Sequence, residues 1–295
     1  MSDIQLVRNK DLWIGRFTAM ASPCELLIET SDEKLAQHLT ETAHAEALRI
    51  QQKFSRYRTD NIVWQINNAN GKTVIPDAET ALLINFADQC YELSDGLFDI
   101  TSGSLGRVWK FDGSDKIPTQ TQIDDALQYV GWKKVSWNQT ELQMPAGMQI
   151  DFGGSGKEYA VDRCLFLLRD IADIPLVVNF GGDLAVSGAR SDGRAWQVGI
   201  ETPDKQNQSD YLLEISAGAL ATSGDSRRYL LANNIRYSHI LNPFTGWPIT
   251  DAPRSITVAG SNCIQAGMLA TFGLLQGKNA EVFLEEQGVP FWILR

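Results

Sequence analysis

Asp151, Gly153, Gly154, Gly156 and Lys157 fall together in the segment I-D-F-G-G-S-G-K-E-Y-A-V-D, residues 150–162. Glycines without side chains let a ligand come against the main chain, and the amides that open a helix attract anions. Val161, Cys164, Leu165 and Leu168 share one helical face after the glycines, so the pattern predicts a strand, a tight turn and a helix start. Lys157 sits in the first turn of that helix, where its charge opposes the helix dipole. A bound phosphate or Asp151 supplies the counter-charge. The chemistry on offer is the holding of a phosphorylated ligand. A plain glycine-rich connection has the same pattern, and both readings stay open on these residues alone. The phosphate-loop signature is absent, with Asp151 where it needs Gly and Glu158 where it needs Ser or Thr, and the spacing also misses G-x-G-x-x-G. A shorter echo, N-F-G-G-D, occupies Asn179–Asp183.

His239, one of 3 histidines, precedes an Asn-Pro and a Thr-Gly turn at a strand end, where binding and catalytic groups concentrate. A satisfied structural histidine fits there equally. His38 and His44 fall within the first long helix. The turn T-S-G-D after Ala219, followed by Arg227 and Arg228, reads as turn chemistry or as a ligand-contacting loop. Gly267 and Thr271 share a helical face; a threonine in an apolar helix ordinarily bonds a carbonyl one turn back. Tyr57, Phe98 and Trp247 are loop aromatics, a type more often an anchor than a ligand contact.

The elements that must position these groups follow from periodicity. Cys24–Glu29 reads as a strand. Thr30 and Glu33 form a capping box opening a helix with Leu35, Leu39, Ala43, Ala47, Ile50 and Phe54 on one face. A polar loop with Tyr57, a short helix V-W-Q-I-N and a helix from Pro76-Asp77 to near Gly96 follow. D-G-L-F-D-I-T-S-G reads as a loop, and Thr121 with Asp124 opens a short helix ending near Gly131. Beyond Val135 strands dominate: Leu142–Met144, Met148–Ile150, Leu176–Phe180, Leu184–Ser187, Trp196–Ile200, Tyr211–Ile215, Ala219–Thr222, Tyr237–Leu241 and Ser255–Ala259. A helical region runs from Asn262 to Glu286. Short strands in series with helices grouped elsewhere predict a mainly antiparallel α+β fold with flanking helices. The 295 residues suffice for one large core, and we expect a single unit over 1–295, helix-rich to about 135 and strand-rich from about 136.

Net charge is −10, and no lysine- or arginine-rich block exists, which argues against nucleic acid and anionic membrane surfaces. Cys24, Cys90, Cys164 and Cys263 form no C-x-x-C pair, so neither zinc nor a disulfide framework is suggested. No signal-length or membrane-length apolar run appears, and a cytoplasmic protein without membrane insertion is expected.

Eight segments in order resemble the FAD:protein FMN transferase family, also called ApbE-like. They are A-M-A-S-P-C-E-L, F-S-R-Y-R-T-D-N, D-G-L-F-D-I-T-S-G, the 150–162 segment, V-N-F-G-G-D-L, A-L-A-T-S-G-D, S-H-I-L-N-P-F-T-G and S-I-T-V-A-G with A-G-M-L-A-T, spanning about residues 19–275. The resemblance implies a T-fold-like ApbE architecture with FAD bound between its halves. It implies a reaction in which FAD is split, FMN is attached through its phosphate to a Thr or Ser of an acceptor protein, and AMP leaves. The implied cofactor contacts are Met20, Tyr57, Leu97, Phe98, Asp99, Asp151, Lys157 and Leu241, with His239 as general base. The family's Mg²⁺ is implied at the backbone of Gly154 and at Thr271.

Four residues depart from the family pattern. The metal aspartate is replaced by Gly267, the Asp before the proline by Asn242, and Ser155-Gly156 stand where bulkier or alanine-bearing residues are commoner. Asp183 and Asp225 are the candidate replacements for the lost carboxylate. Two rivals to transfer stand beside it: an FAD-binding protein without transferase activity, motivated by Gly267, and a pyrophosphatase cutting FAD to FMN and AMP, with water in place of the acceptor hydroxyl.

Overall fold

The computed structural model describes residues 4–112, 114–201, 209–225 and 228–295; Arg227 lies outside them. The chain opens with three strands, β1 (Gln5–Asn9), β2 (Leu12–Ala19) and β3 (Ser22–Ile28). The alternation of a half-buried strand is clear once its partners are known: Gly15, Phe17 and Ala19 point inward and Arg16 and Thr18 outward, while Cys24, Leu26 and Ile28 repeat the rule in β3. No hydrophobic run flags β1, whose Leu6 and Val7 stand between Gln5 and Arg8, and Arg16 and Thr18 interrupt the apolar residues of β2.

Helix α1 (Glu33–Phe54) follows. Its cap is Asp32, whose carboxylate accepts the amides of Lys34 and Leu35. The expected Thr30–Glu33 box does not form; Thr30 Oγ1 accepts the Asp32 amide instead, since an aspartate one position before the helix satisfies its orphan amides directly. Helix α2 (Ile62–Asn67), the short strand β4 (Thr73–Val74) and helix α3 (Ala78–Leu93), capped by Asp77, come next. Residues Ile100–Arg107 form a 3₁₀ helix where the sequence suggested a loop. Helix α4 (Gln120–Leu127) has its capping box at Thr119 and Gln122, two residues before the expected Thr121 and Asp124.

Strands β5 (Ser136–Trp137) and β6 (Leu142–Gln143) are short. The predicted strand Met148–Ile150 is extended but belongs to no sheet. The Asn67 side chain takes the place of a partner strand there, accepting from the Ile150 amide at 2.8 Å and donating to its carbonyl at 3.1 Å. Helix α5 (Gly156–Ile171) follows, burying Val161, Cys164 and Leu168 of the predicted face, with Leu165 half-buried at its edge. The remaining elements are β7 (Leu176–Phe180), β8 (Asp183–Val186), β9 (Trp196–Glu201), β10 (Ser209–Ile215), β11 (Gly218–Gly224), β12 (Tyr229–Ala232), β13 (Ile235–Ser238), β14 (Ser255–Gly260), α6 (Cys263–Leu275), α7 (Ala280–Gln287) and β15 (Phe291–Leu294). The strand expected over Tyr237–Leu241 ends at Ser238, and Leu241 makes one bridge to Pro248.

Eight strands join in the order β1-β2-β3-β7-β8-β11-β14-β15, every neighbour antiparallel. The fold is α+β, as expected. The sheet draws strands from both ends of the chain, since β3 pairs with β7 with Cys24 opposite Phe180. Helices α1, α5 and α6 cover one face. Trp196 and Ile215 of the β9–β10 hairpin cover Val177, Leu184, Val186 and Leu220 on the other. A separate small core gathers Leu105, Trp109, Ile123, Ala126, Val130 and Leu230. All four cysteines are buried free thiols, and burial pushes Cys24 up to about 11 and Cys90 up to about 12.

Candidate functional site

A cleft of about 2240 Å³ opens beside the end of α5. That exceeds the roughly 300–1,000 Å³ of pockets for drug-sized ligands. The glycine turn forms one wall. The Asp151 amide donates to the Ile100 carbonyl at 2.9 Å, and its carboxylate accepts the Gly153 amide at 2.9 Å. The amides of Ser155 and Gly156 bond the Phe152 carbonyl. Among the described residues, the amides of Gly154 and Lys157 find no acceptor, and both residues line the cleft. Gly154 is constrained by packing: a Cβ there would sit 3.3 Å from the Phe98 ring.

Lys157 reaches Asp183, the first residue of β8, with Nζ 2.5 Å from Oδ2. Asp183 is 1% exposed, and its Oδ1 accepts the Thr222 amide at 2.9 Å. The two carboxylates facing Lys157, Asp183 first and then Glu158, outweigh its burial and hold the ammonium above the usual lysine range. Glu158 is buried, lines the same wall, and has no partner for Oε2 among the described residues. Burial, reinforced by Asp183, pushes its carboxyl up to about 8. Asp225, the other replacement carboxylate considered, has both oxygens engaged, Oδ2 by Arg236 at 2.9 Å and Oδ1 by Arg254 at 2.8 Å.

The rest of the cleft gathers most of the other residues singled out by sequence. Met20 stands with Ala21 in the left-handed region at the β2–β3 turn, the geometry of a two-residue hairpin loop, and its amide donates to the Gln51 side chain. Tyr57 is 81% exposed and so is no loop anchor; the Arg56 guanidinium lies 5.0 Å from its ring centroid. Leu97, Phe98 and Asp99 line the cleft. The Asp99 carboxylate is committed to the scaffold, accepting the Thr101 amide and hydroxyl at 2.7 and 2.6 Å and the Trp132 amide at 2.8 Å; burial raises it above the usual carboxylate range. Leu241 and Thr271 line the cleft too, and the Thr271 hydroxyl meets that of Ser223 at 2.8 Å.

His239 stands at the far wall, with Nδ1 3.1 Å from the Arg228 carbonyl and its ring edge-on to Phe111. A carbonyl only accepts, so Nδ1 carries the proton and Nε2 keeps its lone pair. Burial first, then Arg228, lowers its basicity below the ordinary histidine value, which leaves the ring neutral near pH 7. The other histidines are elsewhere: His38 is exposed and His44 packs against Phe17. Trp247 is a loop anchor against Trp109.

Two cleft residues escaped sequence reasoning. Arg56 donates to the Gly103 carbonyl at 2.7 Å and lies 3.3 Å from Asp151, bracing the glycine turn; it stands beside Tyr57 in a segment already quoted, but nothing marks one arginine of a polar loop. Glu158 reads as an ordinary first-turn acid favoured by the helix dipole until its burial is seen. The oxygen donors on this wall, the Glu158 carboxylate and the Thr271 hydroxyl, suit a hard cation, and Mg²⁺ is commonly held by one or two carboxylates with substrate phosphates. No cluster of three or more His, Cys, Asp or Glu side chains able to hold a metal exists among the described residues, which leaves the rest of such a shell to ligand and water.

An antiparallel sheet backed by helices, with a glycine turn and helix N-terminus opening on a long cleft, defines a mixed α+β protein with a site suited to an extended anionic ligand. The model of the ApbE family matches residues 20–293, and the chain belongs to that family. It is 27% identical over 244 residues to a FAD:protein FMN transferase of Vibrio cholerae, covering 80% of this chain and 73% of the relative. It is 26% identical over 275 residues to a FAD:protein FMN transferase of Escherichia coli, covering 89% and 78%. The crystal structure of the ApbE protein of Thermotoga maritima superimposes with a TM-score of 0.87 at 28% identity, covering 96% of this chain and 94% of that one. Among the described residues no helix is long and apolar enough to cross a membrane.

Proposed function

We propose that this chain is an FAD:protein FMN transferase, attaching FMN through its phosphate to a Thr or Ser hydroxyl of an acceptor protein and releasing AMP. One observation carries the reading: Gly154 and Lys157, whose amides find no acceptor among the described residues, line the same cleft as His239, whose Nδ1 meets the Arg228 carbonyl at 3.1 Å. The names of the relatives support it, and the volume of the cleft leaves room for a dinucleotide and an acceptor segment together.

The FAD diphosphate lies against the glycine turn, held by main-chain amides and the helix N-terminus. Lys157 adds a positive charge fixed in place by Asp183. Tyr57 offers an exposed ring to the flavin. Nε2 of His239 takes the proton of the acceptor hydroxyl, whose oxygen attacks the phosphorus of the FMN half. The new P–O bond forms as the bond to the AMP phosphate breaks, AMP departs with the electron pair, and His239 returns its proton to solvent. A divalent cation, when bound by Glu158 and Thr271, supplies charge neutralisation on the phosphate oxygens. Positioning and electrostatics carry phosphoryl transfer, and this wall supplies both.

Incubation with FAD, Mg²⁺ and an acceptor domain tests the reading through acceptor mass and AMP. A mass gain matching FMN with equimolar AMP is expected. The Gly267 departure favours one rival, flavin binding without transfer, which predicts bound FAD and neither product. AMP without a mass gain identifies a pyrophosphatase and overturns transfer.

A further inference from the structure

The phosphate wall holds one more acid than it has partners for. One ammonium, Lys157, faces two buried carboxylates, and its Nζ is committed to Asp183 at 2.5 Å. The second oxygen of Asp183 is satisfied by the Thr222 amide. The other acid nearby, Asp162, is also spent: its oxygens accept the Cys263 and Ile264 amides at 2.8 and 2.9 Å, capping α6. Asp183 Oδ2 has the Lys157 ammonium as its counter-charge, whereas Glu158 has no ion-pair partner of its own among the described residues. It is 7% exposed and its Oε2 has no partner among the described residues. Carboxylates stay ionised inside a protein when they are paired or coordinate a metal.

The position of this carboxyl is specific. A Cβ built on Gly267 would lie 2.6 Å from Glu158 Cγ and 3.0 Å from Oε1. The Glu158 side chain, delivered from α5, therefore fills the room that a side chain at 267 would take on α6. Thr271 lies one turn further along α6, and Glu158, Thr271, Gly154 and Lys157 all line the cleft. The geometry points to Glu158 as the carboxylate that holds a divalent cation against the diphosphate of the bound nucleotide, in place of a side chain at 267. The carboxyl at this wall is delivered from α5, with Thr271 facing it from α6. This rests on the reading above for the diphosphate, and it corrects the expectation that Asp225 could serve, since both of its oxygens are held by arginines. Gly267→Asp alone should gain no metal binding, because the new side chain meets Glu158.

The test uses Mn²⁺ as the probe, titrated by electron paramagnetic resonance with and without ADP, a diphosphate that carries no flavin to transfer. Wild-type protein should bind Mn²⁺ in the presence of ADP. Glu158→Gln, nearly isosteric, should weaken Mn²⁺ by about 100-fold or more, beyond the roughly 10–100-fold that residues merely supporting metal ligands cost, while ADP binding without metal is retained. Glu158→Gly combined with Gly267→Asp should restore Mn²⁺ binding. Wild-type protein that takes up no Mn²⁺ overturns the inference and leaves Glu158 a buried protonated acid. Undiminished Mn²⁺ binding by Glu158→Gln, or a double variant as weak as that single one, overturns it as well. The two readings fail separately. Mn²⁺ binding that follows Glu158 in a protein that flavinylates no acceptor removes only the transferase. Flavinylation with Mn²⁺ binding indifferent to Glu158 removes only this inference.

Discussion

The two walls of the cleft rest on different foundations. The phosphate wall, with Lys157, Glu158, Asp183 and Thr271, grows from α5, β8 and α6, whose apolar faces belong to the large core between sheet and helices. The histidine wall grows from the 3₁₀ segment, α4 and the β12–β13 hairpin, which share the small core around Trp109. On the first wall Lys157 is fixed by the buried Asp183. On the second, aromatic rings do the positioning: Trp109 stacks on Phe111 at 5.7 Å, and Phe111 meets His239 at 6.2 Å. Under the proposed transfer, the difference is a division of labour. Holding a polyanion calls for immobile dipoles and charges. Accepting a proton from a second protein calls for a base on a surface that an incoming segment can reach.

The sharpest way to break this division is at His239. His239→Ala should slow transfer by roughly 10²–10⁴-fold with FAD binding retained, checked by single-turnover mass spectrometry and calorimetry. The sign of the pH effect follows from the lowered basicity: the neutral, working form persists below the ordinary histidine value, so the acid limb of kcat/KM should lie under pH 6.5 and vanish in the variant. Equal loss of FAD affinity would make the histidine wall part of the nucleotide grip and end the contrast.

Trp109→Ala probes the foundations. Trp109 is buried, and its indole nitrogen donates to the Gly246 carbonyl at 2.8 Å. Truncation of such a ring costs about 3–5 kcal/mol. Hydrogen exchange should show β12–β13 losing protection while β7, β8 and β11 keep theirs. Simultaneous loss in the large sheet would mean that both cores open as one unit.

The smallest effect is expected behind the phosphate wall. Glu79 binds Arg49 and Lys53 of α1 and accepts the Tyr159 hydroxyl of α5. The Arg49 hydrogen bonds, chief among its interactions, bring its carboxyl down to about 2. A depressed carboxylate contributes stability above its unfolded value, near 4.5, and that contribution fades as pH falls toward 2. Glu79→Gln should cost about 1 kcal/mol after allowing for solvent screening, a fall in Tm of roughly 2–4 °C for a chain of this size. The gap between variant and wild type should close on acidification. A gap that widens would reverse the assignment.

Local signals carried the sequence reading well wherever one element decided the outcome. The glycine turn and the α5 face appear as spaced, as does the Asp77 cap of α3. Failures came where a distant residue decides. Asn67 stands in for a strand beside Ile150, so the extended segment needed no sheet. β1 is a strand because it adds to β2 and β3, and its own apolar signal is only Leu6 and Val7. At the site, the loss at Gly267 was visible in its motif, whereas the carboxyl filling its space lies 109 positions earlier by number, 267 against 158. Only packing of α5 against α6 brings them together.

The four sequestered thiols have a practical corollary. Burial lifts every one above its ordinary value, and a thiol that stays protonated and covered reacts slowly with alkylating dyes. A single cysteine introduced at the exposed position of Tyr57 would then take up a fluorophore almost alone. Such a reporter, placed at the mouth of the cleft, would follow nucleotide arrival and departure in real time against a silent background.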